Sequence, residues 1–314
     1  MTSAPLALEI TGLAKTFKLG PWHKSHVALR QVTLAVPTGK VYGYLGPNGA
    51  GKTTTLKLLF GLVRMDKGSI RVLGRAHEDP QWRSRVGYLP EHPYLQEGLT
   101  PREYLTYVAR LSGLESSRIP ERVSAVLDRV GLGAASNRVM RTFSKGMVQR
   151  AAIAQALVAD PELLVFDEPM SGLDPLGRSM VRHLISELRD EGKTVFFSTH
   201  ILGDAEALCD RVAILRDGEV VSDGPLSEVL QIEVDRLDVT CDAVSVDALQ
   251  GVPGVSIRLT AGRQVHAYVD EVALPALVER VSKSGGRVLS VLPVRRSLEE
   301  VFLNKMKGEV SWEA

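Results

Sequence analysis

The segment "GPNGAGKT" at residues 46–53 decides the fold of this chain. It matches the pattern G-x-x-x-x-G-K-[S/T], follows an apolar strand predicted at residues 41–45, and opens a helix predicted at residues 52–62. Small residues let successive backbone N–H groups turn toward phosphate oxygens, and the start of the helix adds partial positive charge. This order of strand, loop and helix favours a phosphate-binding loop over a glycine-rich turn that carries a surface lysine.

The loop gives chemical roles to its residues. Lys52 is expected to reach the β- and γ-phosphates of a nucleoside triphosphate, and the Thr53 hydroxyl is expected to bind Mg²⁺. By itself the loop does not separate GTPases, helicases, kinases and transporter motors. The predicted nucleotide-binding positions here are Gly46, Pro47, Asn48, Gly49, Ala50, Gly51, Lys52, Thr53 and Thr54.

A pair of carboxylates narrows this choice. The segment "ELLVFDEP" at residues 162–169 predicts a buried strand that ends in Asp167 and Glu168. Asp167 can hold Mg²⁺ through water, and Glu168 can polarise a water molecule for in-line attack on the γ-phosphate. Adjacent carboxylates at a strand end can also cap a helix, but the preceding phosphate loop favours the catalytic interpretation.

The rest of the first part of the chain alternates strands and helices. Predicted strands at residues 6–13, 27–36 and 194–200 and a mainly helical stretch at residues 100–158 indicate an α/β fold with a covered, largely parallel sheet. The segment "RVAILRDGEVVSDG" predicts a hairpin that turns at its Asp-Gly pair, residues 217–218.

A change in character near residue 230 predicts two domains, residues 1–230 and residues 231–314. The second domain is expected to be a small α+β unit with the order β-α-β-β-α-β plus a final helix, which suggests a ferredoxin-like arrangement. Its last strand is expected to stop at Pro293, and its last helix is expected to begin at Ser297.

Composition sets limits on function. The net charge of +1 shows no bias toward polyanions, so a dedicated nucleic-acid binder is not expected. Cys209 and Cys241 fit no metal or redox spacing, which favours a reduced, cytosolic setting. No run approaches the roughly 20 apolar residues of a membrane-spanning helix, and no signal peptide is visible, so a partner chain is expected to supply any span.

Further motifs now follow in a recognisable order. They are "GYLPEH" (residues 87–92), "FSKGM" (143–147) with "VQR" after it, "SGLD" (171–174) and "STH" (198–200). Together with the phosphate loop and "LLVFDEP", they resemble the ATP-binding cassette of ABC transporters over about residues 6–225. The resemblance implies a P-loop fold of ABC type with a mixed core sheet, an antiparallel β subdomain and a helical insert at about residues 91–158.

The resemblance also assigns residues around the nucleotide. Phe17 lies where the family has an aromatic ring that stacks on adenine, although a core phenylalanine in a strand is the alternative. His200 matches the switch histidine and can hold the attacking water with Glu168; a helix-capping histidine is the alternative. Glu91 replaces the glutamine of the Q-loop and can still bind Mg²⁺. The predicted catalytic residues are therefore Lys52, Glu168 and His200, and the predicted metal ligands are Thr53, Glu91 and Asp167.

The motif "FSKGM" stands where the family has its signature "LSGGQ". Ser144 and Gly146 keep the positions that approach the phosphate most closely, whereas Lys145 replaces a glycine and Met147 replaces the glutamine. Lys145 either adds positive charge near the γ-phosphate or points to solvent. The resemblance implies that this signature serves the nucleotide of a second cassette, with Asp174 at the shared interface.

The implied protein is an ATP-hydrolysing motor whose two cassettes enclose two Mg-ATP molecules. Its partners are a second copy of itself or a paralogous cassette, and a separate membrane permease that holds it at the cytoplasmic face of the inner or plasma membrane. The residues of "GYLPEHP" and "FSKGM" and the C-terminal segment "RRSLEEVFL" resemble those of the bacterial export branch of the family. Candidate permease contacts are Tyr94, Leu95, Tyr104, Tyr107 and Leu111, which can equally form the core of the insert. The competing class is a non-transport ABC-type ATPase, ribosome-associated or repair-like.

Overall fold

The computed structural model describes residues 5–18, 25–230, 232–249, 251–261, 264–295 and 298–307. The chain divides into two compact units, Met1–Leu226 and Ser227–Ala314. The strands of the first unit are β1 (Leu6–Lys18), β2 (Ser25–Pro37), β3 (Val41–Leu45), β4 (Lys67–Val72), β5 (Arg75–Ala76), β6 (Val86–Leu89), β7 (Leu163–Asp167), β8 (Thr194–Thr199), β9 (Arg211–Arg216) and β10 (Glu219–Pro225). Its helices are α1 (Lys52–Leu59), α2 (Pro101–Leu111), α3 (Ile119–Arg129), α4 (Lys145–Leu157), α5 (Pro175–Asp190) and α6 (Leu202–Leu208), and the short α7 (Leu226–Val229) lies at the boundary.

The core of the first unit is a six-stranded sheet in the order β10-β9-β3-β8-β7-β6. Four of its five strand pairings are parallel. The fifth is the antiparallel hairpin of β9 and β10, in which Glu219 pairs with Arg216 across the expected turn. Every residue of β3, β7 and β8 is buried, as expected for strands covered on both faces. Because parallel strands end at the same edge, the residues after β3, β7 and β8 are brought together there.

A second, antiparallel sheet in the order β2-β1-β4-β5 forms the predicted β subdomain. Its apolar face shares one core cluster with α1 and β3, including Leu8, Leu34, Leu56 and Tyr44. Burying each such side chain contributes about 1.5–3 kcal/mol, which fixes α1 against both sheets. α1 ends at Leu59, earlier than expected, because Gly61 takes a left-handed φ of 70° that terminates the helix.

Helices α2, α3 and α4 form the helical insert. α2 begins with a capping box, in which Thr100 and Glu103 each bind the other's backbone N–H. Tyr104 was a candidate permease contact, but it is buried and its hydroxyl donates to Gln155 Oε1 at 2.8 Å, so it belongs to the core of the insert. Tyr107, one turn further on, is exposed.

The second unit contains β11 (Ile232–Asp242), α8 (Val246–Leu249), β12 (Val255–Ala261), β13 (Gln264–Asp270), α9 (Leu274–Lys283), β14 (Arg287–Arg295) and α10 (Leu298–Lys307). They build an antiparallel sheet in the order β12-β13-β11-β14, with the element order expected of a ferredoxin-like unit. The expectation that Pro293 stops the last strand is wrong. β14 is an edge strand, where a missing N–H can face away from the sheet. Ser297, the expected start of the last helix, lies outside the described residues.

Candidate active site

The phosphate loop connects the end of β3 to the start of α1, and its glycines are required by close backbone contacts. A methyl group on Gly46 would lie 2.6 Å from the carbonyl oxygen of Leu215, and one on Gly51 would lie 2.7 Å from that of Ala28. Gly51 also has a left-handed φ of 111° and caps α1. Side chains at these two positions would force the loop away from its neighbouring strands.

Lys52 is folded back into the loop that precedes it. Its side chain is only 6% exposed, and its ammonium donates to the carbonyl oxygens of Gly46 and Pro47 at 2.7 and 3.3 Å. The same Nζ lies 3.3 Å from Glu168 Oε1. A buried ammonium needs such partners, because an uncompensated charge is costly in the interior.

Glu168 follows the last residue of β7 and is 7% exposed. Its backbone has a left-handed φ of 49°, which is unusual for a residue with a side chain and marks functional sites. The Glu168 N–H donates to Ser198 Oγ at 3.0 Å, which anchors this turn to β8. Glu168 Oε2 lies 2.9 Å from His200 Nδ1, so Lys52, Glu168 and His200 form one connected chain of contacts.

Asp167 lies beneath this chain and is 1% exposed. Its Oδ1 accepts a hydrogen bond from Ser198 Oγ at 2.5 Å, and the Thr53 hydroxyl also hydrogen-bonds to the carboxylate. Burial raises the pKa of the Asp167 carboxyl, and the nearby charges of Glu91 and Glu168 raise it further. Its Oδ2 is buried without a hydrogen-bond partner in the described part of the chain.

This oxygen donor set fits a hard cation. An orphaned carboxylate oxygen next to a threonine hydroxyl provides the ligands that Mg²⁺ prefers, and Mg²⁺ in such sites completes its shell with water and substrate phosphates. Among the described residues, no three His, Cys, Asp or Glu side chains are grouped closely enough to hold a metal by themselves. The site therefore suits a metal that arrives together with phosphate.

A cleft of about 350 Å³ opens above these residues. Its lining residues are His26, Ala28, Pro47, Asn48, Gly49, Gly51, Lys52, Thr53, Thr54, Glu91 and Glu168. Most of the predicted nucleotide-binding positions thus face one space. His26 and the anchoring Ser198 were missed by sequence reasoning. Ser198 is a polar residue inside the apolar strand "TVFFSTH" and the first residue of the motif "STH", but neither pattern indicated its anchoring role.

Phe17 is not among the residues that line this cleft. It is half-buried in β1, pairs with His26 of β2, and has the Lys15 ammonium 5.5 Å from the centroid of its ring. Its partner His26 does line the cleft, so Phe17 lies on the strand next to a cleft residue. Its role toward adenine stays a prediction.

The signature residues also lie outside the cleft of their own chain. Ser144 is the N-cap of α4 and accepts a hydrogen bond from the Met147 N–H at 3.3 Å. Gly146 follows in the first turn, where a methyl group would lie 3.9 Å from Leu173 Cδ2. Asp174 caps α5 by accepting from the Gly177 N–H at 2.8 Å. The structure therefore brings Gly146 next to Leu173, the residue before Asp174, and none of Ser144, Gly146 and Asp174 lines the cleft of its own chain.

Comparison with known proteins agrees with this geometry. Residues 29–171 match the family described as ABC transporter. The chain is 39% identical over 303 residues to an uncharacterised ABC transporter ATP-binding protein of Synechocystis, covering 96% of this chain and 84% of the relative. This chain belongs to the ATP-binding proteins of ABC transporters. The resemblance drawn from the motifs is thereby confirmed.

Two further ABC relatives carry functional names. The daunorubicin/doxorubicin resistance ATP-binding protein DrrA of Streptomyces peucetius is 36% identical, covering 96% of this chain and 94% of DrrA. The Nod factor export ATP-binding protein I of Cupriavidus pinatubonensis is 34% identical, covering 97% and 94%. Both alignments extend through the second unit of this ABC protein.

Solved structures confirm the ABC fold. An ATP-binding subunit of an ABC transporter superposes with a TM-score of 0.65 at 33% identity, covering 72% of this chain and 92% of the other. A dimeric ATP-binding cassette in a post-hydrolysis state with ADP and Pi superposes with a TM-score of 0.64 at 25% identity, covering 70% and 98%. The protein is an ABC-type ATPase that binds ATP. Subunits of this kind dimerise and work with membrane permease components.

Proposed function

We propose that this protein is the motor of an ABC exporter, which works as a head-to-tail dimer around two Mg-ATP and drives a separate membrane permease. The second cassette is another copy of this chain or a paralogue. The observation that carries the proposal is the connected chain of contacts Lys52–Glu168–His200, of which Lys52 and Glu168 line the cleft. A phosphate-binding cation, a carboxylate base and a histidine in mutual contact are the groups that hydrolysis of the γ-phosphate of ATP would use.

The three residues have separate tasks in hydrolysis. Lys52 contacts the β- and γ-phosphates and neutralises charge that grows on the γ-phosphate. The Glu168 carboxylate accepts a proton from the water that attacks the phosphorus atom in line with the leaving ADP oxygen. His200 orients Glu168 through its Nδ1 contact and keeps that carboxylate aimed at the water.

Thr53, Asp167 and Glu91 would hold Mg²⁺ in this site. When bound, Mg²⁺ neutralises the phosphate oxygens and polarises the bond to the leaving group. Asp167 supplies its orphaned Oδ2, held in place because Oδ1 accepts from Ser198. Glu91 lines the cleft and carries a charge where the family has a neutral glutamine.

The export direction and the membrane partner are supported by the named relatives and by the surface of the insert. DrrA and the Nod factor protein are named for drug resistance and export. Tyr94, Tyr107 and Leu111 are exposed large side chains on the insert and its approach, and they offer contacts for a permease at the cytoplasmic face of the membrane. In the described part of the chain, no helix is long and apolar enough to cross a bilayer. The second unit would serve this motor as an accessory domain.

Co-purification tests this proposal. The Glu168→Gln variant carries an affinity tag and is isolated from detergent-solubilised membranes with Mg-ATP present. We expect a polytopic membrane protein to co-purify, and Tyr107→Arg to weaken that association because it places a charge in the apolar contact. Recovery of ribosomal components or nucleic acid without a membrane protein would favour a non-transport ABC ATPase instead.

A further inference from the structure

The turn that carries Glu168, residues 168–171, has a strained backbone. A left-handed φ of 49° is unfavourable for a residue with a side chain, so Glu168 keeps it only because neighbouring groups hold it there. Pro169, the next residue, has no backbone N–H with which to strengthen the turn. The contacts that hold the Glu168 turn therefore fix the direction of the Glu168 carboxylate.

Two of these contacts involve the backbone of Glu168 itself. Its N–H donates to Ser198 Oγ of β8 at 3.0 Å. Its carbonyl oxygen accepts from the Ser171 N–H, also at 3.0 Å, which closes the turn. Neither bond involves the carbonyl group of Pro169, which lies one residue further along the chain.

A third contact comes from α4. The Gln149 side chain is 7% exposed, and its Nε2 donates to the carbonyl oxygen of Pro169 at 3.0 Å. Gln149 is a polar exception on its helix, because the other buried residues of α4 are alanines, Ile153 and Leu157. Since Pro169 is buried as well, loss of this donor would remove a hydrogen bond that water cannot easily replace.

We propose that Gln149 is a positioning residue for hydrolysis, which holds the Glu168 turn so that the carboxylate stays aimed at the attacking water. The inference rests on the proposed function, in which Glu168 is the base. Gln149 does not line the cleft, so it acts through the turn. The Glu168 carboxylate lies 3.3 Å from Lys52 Nζ and 2.9 Å from His200 Nδ1, and a displaced turn would disturb both contacts.

A second glutamine of α4 provides a matched control. The Oε1 of Gln155 accepts a hydrogen bond from the Tyr104 hydroxyl at 2.8 Å. That bond joins α4 to α2 within the insert and does not reach the Glu168 turn. Loss of either side-chain bond should cost similar stability, but only the loss at Gln149 should disturb Glu168.

The test replaces each glutamine with methionine, which keeps the length of the side chain and removes its amide. Steady-state phosphate release by the purified full-length chain gives kcat and the KM for ATP. We expect Gln149→Met to lower kcat about tenfold or more and to change KM less than about twofold, because a small displacement of a catalytic group is costly while the phosphate contacts remain. Gln155→Met is expected to keep both constants within about twofold, although thermal melts should show a similar loss of stability.

A milder variant keeps the test decisive if Gln149→Met does not fold. Gln149→Asn retains an amide but is one carbon shorter, so its N–H is withdrawn from Pro169. It should lower kcat in the same way, with KM unchanged. Turnover is measured at several protein concentrations, because a loss caused by weaker association would recover at high concentration.

A further measurement asks whether Gln149 acts through Glu168. In the Glu168→Gln background, single-turnover release of labelled phosphate measures the remaining hydrolysis. We expect Gln149→Met to change this residual rate less than about twofold, because the group that it positions is already gone.

The outcomes separate this inference from the proposed function. Folded Gln149 variants that hydrolyse ATP like Gln155→Met would overturn the inference alone. So would a tenfold loss that persists in the Glu168→Gln background, or one that disappears at high protein concentration. A parent whose turnover does not depend on Glu168 would overturn the catalytic role of that carboxylate and this inference with it.

Discussion

The two halves of the proposed ATP site are built differently within one chain. In the phosphate-loop half, Lys52 and Glu168 are buried and in direct contact at 3.3 Å. In the signature half, Ser144 and Lys145 are exposed, and the polar contact of Ser144 is the cap of its own helix. The first half is complete before nucleotide arrives. The second half presents groups that only another molecule can engage.

The cost of burying charge explains this difference. A buried lysine or carboxylate must be paired inside the chain, so the phosphate-loop half is held in place by Gly46, Ser198 and His200. Exposed groups on α4 need no such partner, since water satisfies them. Changes in the first half should therefore affect chemistry and binding in each monomer, whereas changes in the second half should affect association.

The largest effect is expected for Glu168→Gln, which tests whether the buried half performs the chemistry. Loss of the base should lower ATP turnover about 10²–10⁴-fold while nucleotide binding remains, because the phosphate contacts are kept. Phosphate release assays measure this change. The control is Glu162→Gln, which alters an exposed acid before the same strand and should leave turnover unchanged. Equal turnover by Glu168→Gln and wild type would remove Glu168 from the chemistry.

Lys52→Ala should weaken nucleotide binding itself. Loss of a charged contact to the phosphates should reduce affinity about 10–100-fold, as measured by calorimetry on the monomer. Lys57→Ala, on the exposed side of the same helix, provides the matched control. Unchanged affinity for Lys52→Ala would contradict the assignment of the loop.

Ser144→Arg should distinguish the two halves, because it should impair ATP-driven dimerisation and leave ATP binding by the monomer unchanged. The bulky side chain at the start of α4 should raise the ATP concentration for dimerisation about tenfold or more, because it overfills a close contact between cassettes. ATP affinity of the monomer should not change, since Ser144 lies outside the cleft of its own chain. Ser117→Arg, an exposed serine elsewhere on the insert, serves as the control. A loss of monomer affinity would show that the signature acts within its own chain.

Asp167→Asn should give the smallest effect, on stability. Because the folded protein raises the pKa of Asp167, ionisation of this carboxyl disfavours the folded state. Without nucleotide and Mg²⁺, the variant should gain about 1 kcal/mol at neutral pH, or a few degrees in melting temperature. That gain should disappear as pH falls, since the wild-type carboxyl becomes protonated and its penalty is lost.

Asp66 provides the comparison for this measurement, because its pKa is shifted in the opposite direction to that of Asp167. The hydrogen bond from Lys15 and that from the Thr16 N–H lower the pKa of Asp66. Asp66→Asn should therefore lose stability at neutral pH, and its difference from wild type should shrink as pH falls through the lowered pKa. If both variants moved in the same direction in thermal melts, burial would not be the cause of the Asp167 effect.

The structure also corrects sequence predictions at positions whose burial or strand pairing depends on neighbouring elements. Tyr104 and Tyr107 are three residues apart in one helix, and both were permease candidates. Tyr104 is buried against α4 and bonded to Gln155, whereas Tyr107 is exposed. Residue type gave no way to tell them apart, because the answer depends on which face of α2 meets the other helices. Residue type also misled at Pro293. The strand continues through this proline because β14 lies at the edge of its sheet, a position that only the strand order reveals.

The sequence by itself determined the phosphate loop, the strand that ends in Asp167 and Glu168, and the order of motifs that indicates the family. These features are local, since glycine spacing, strand hydrophobicity and helix caps act over a few residues. Only the tertiary structure decided that Ser198 anchors Glu168, that Lys52, Glu168 and His200 meet, and that Lys145 rests on Gly172. Those contacts join distant parts of the chain, and they depend on strand order and register, which no short segment encodes.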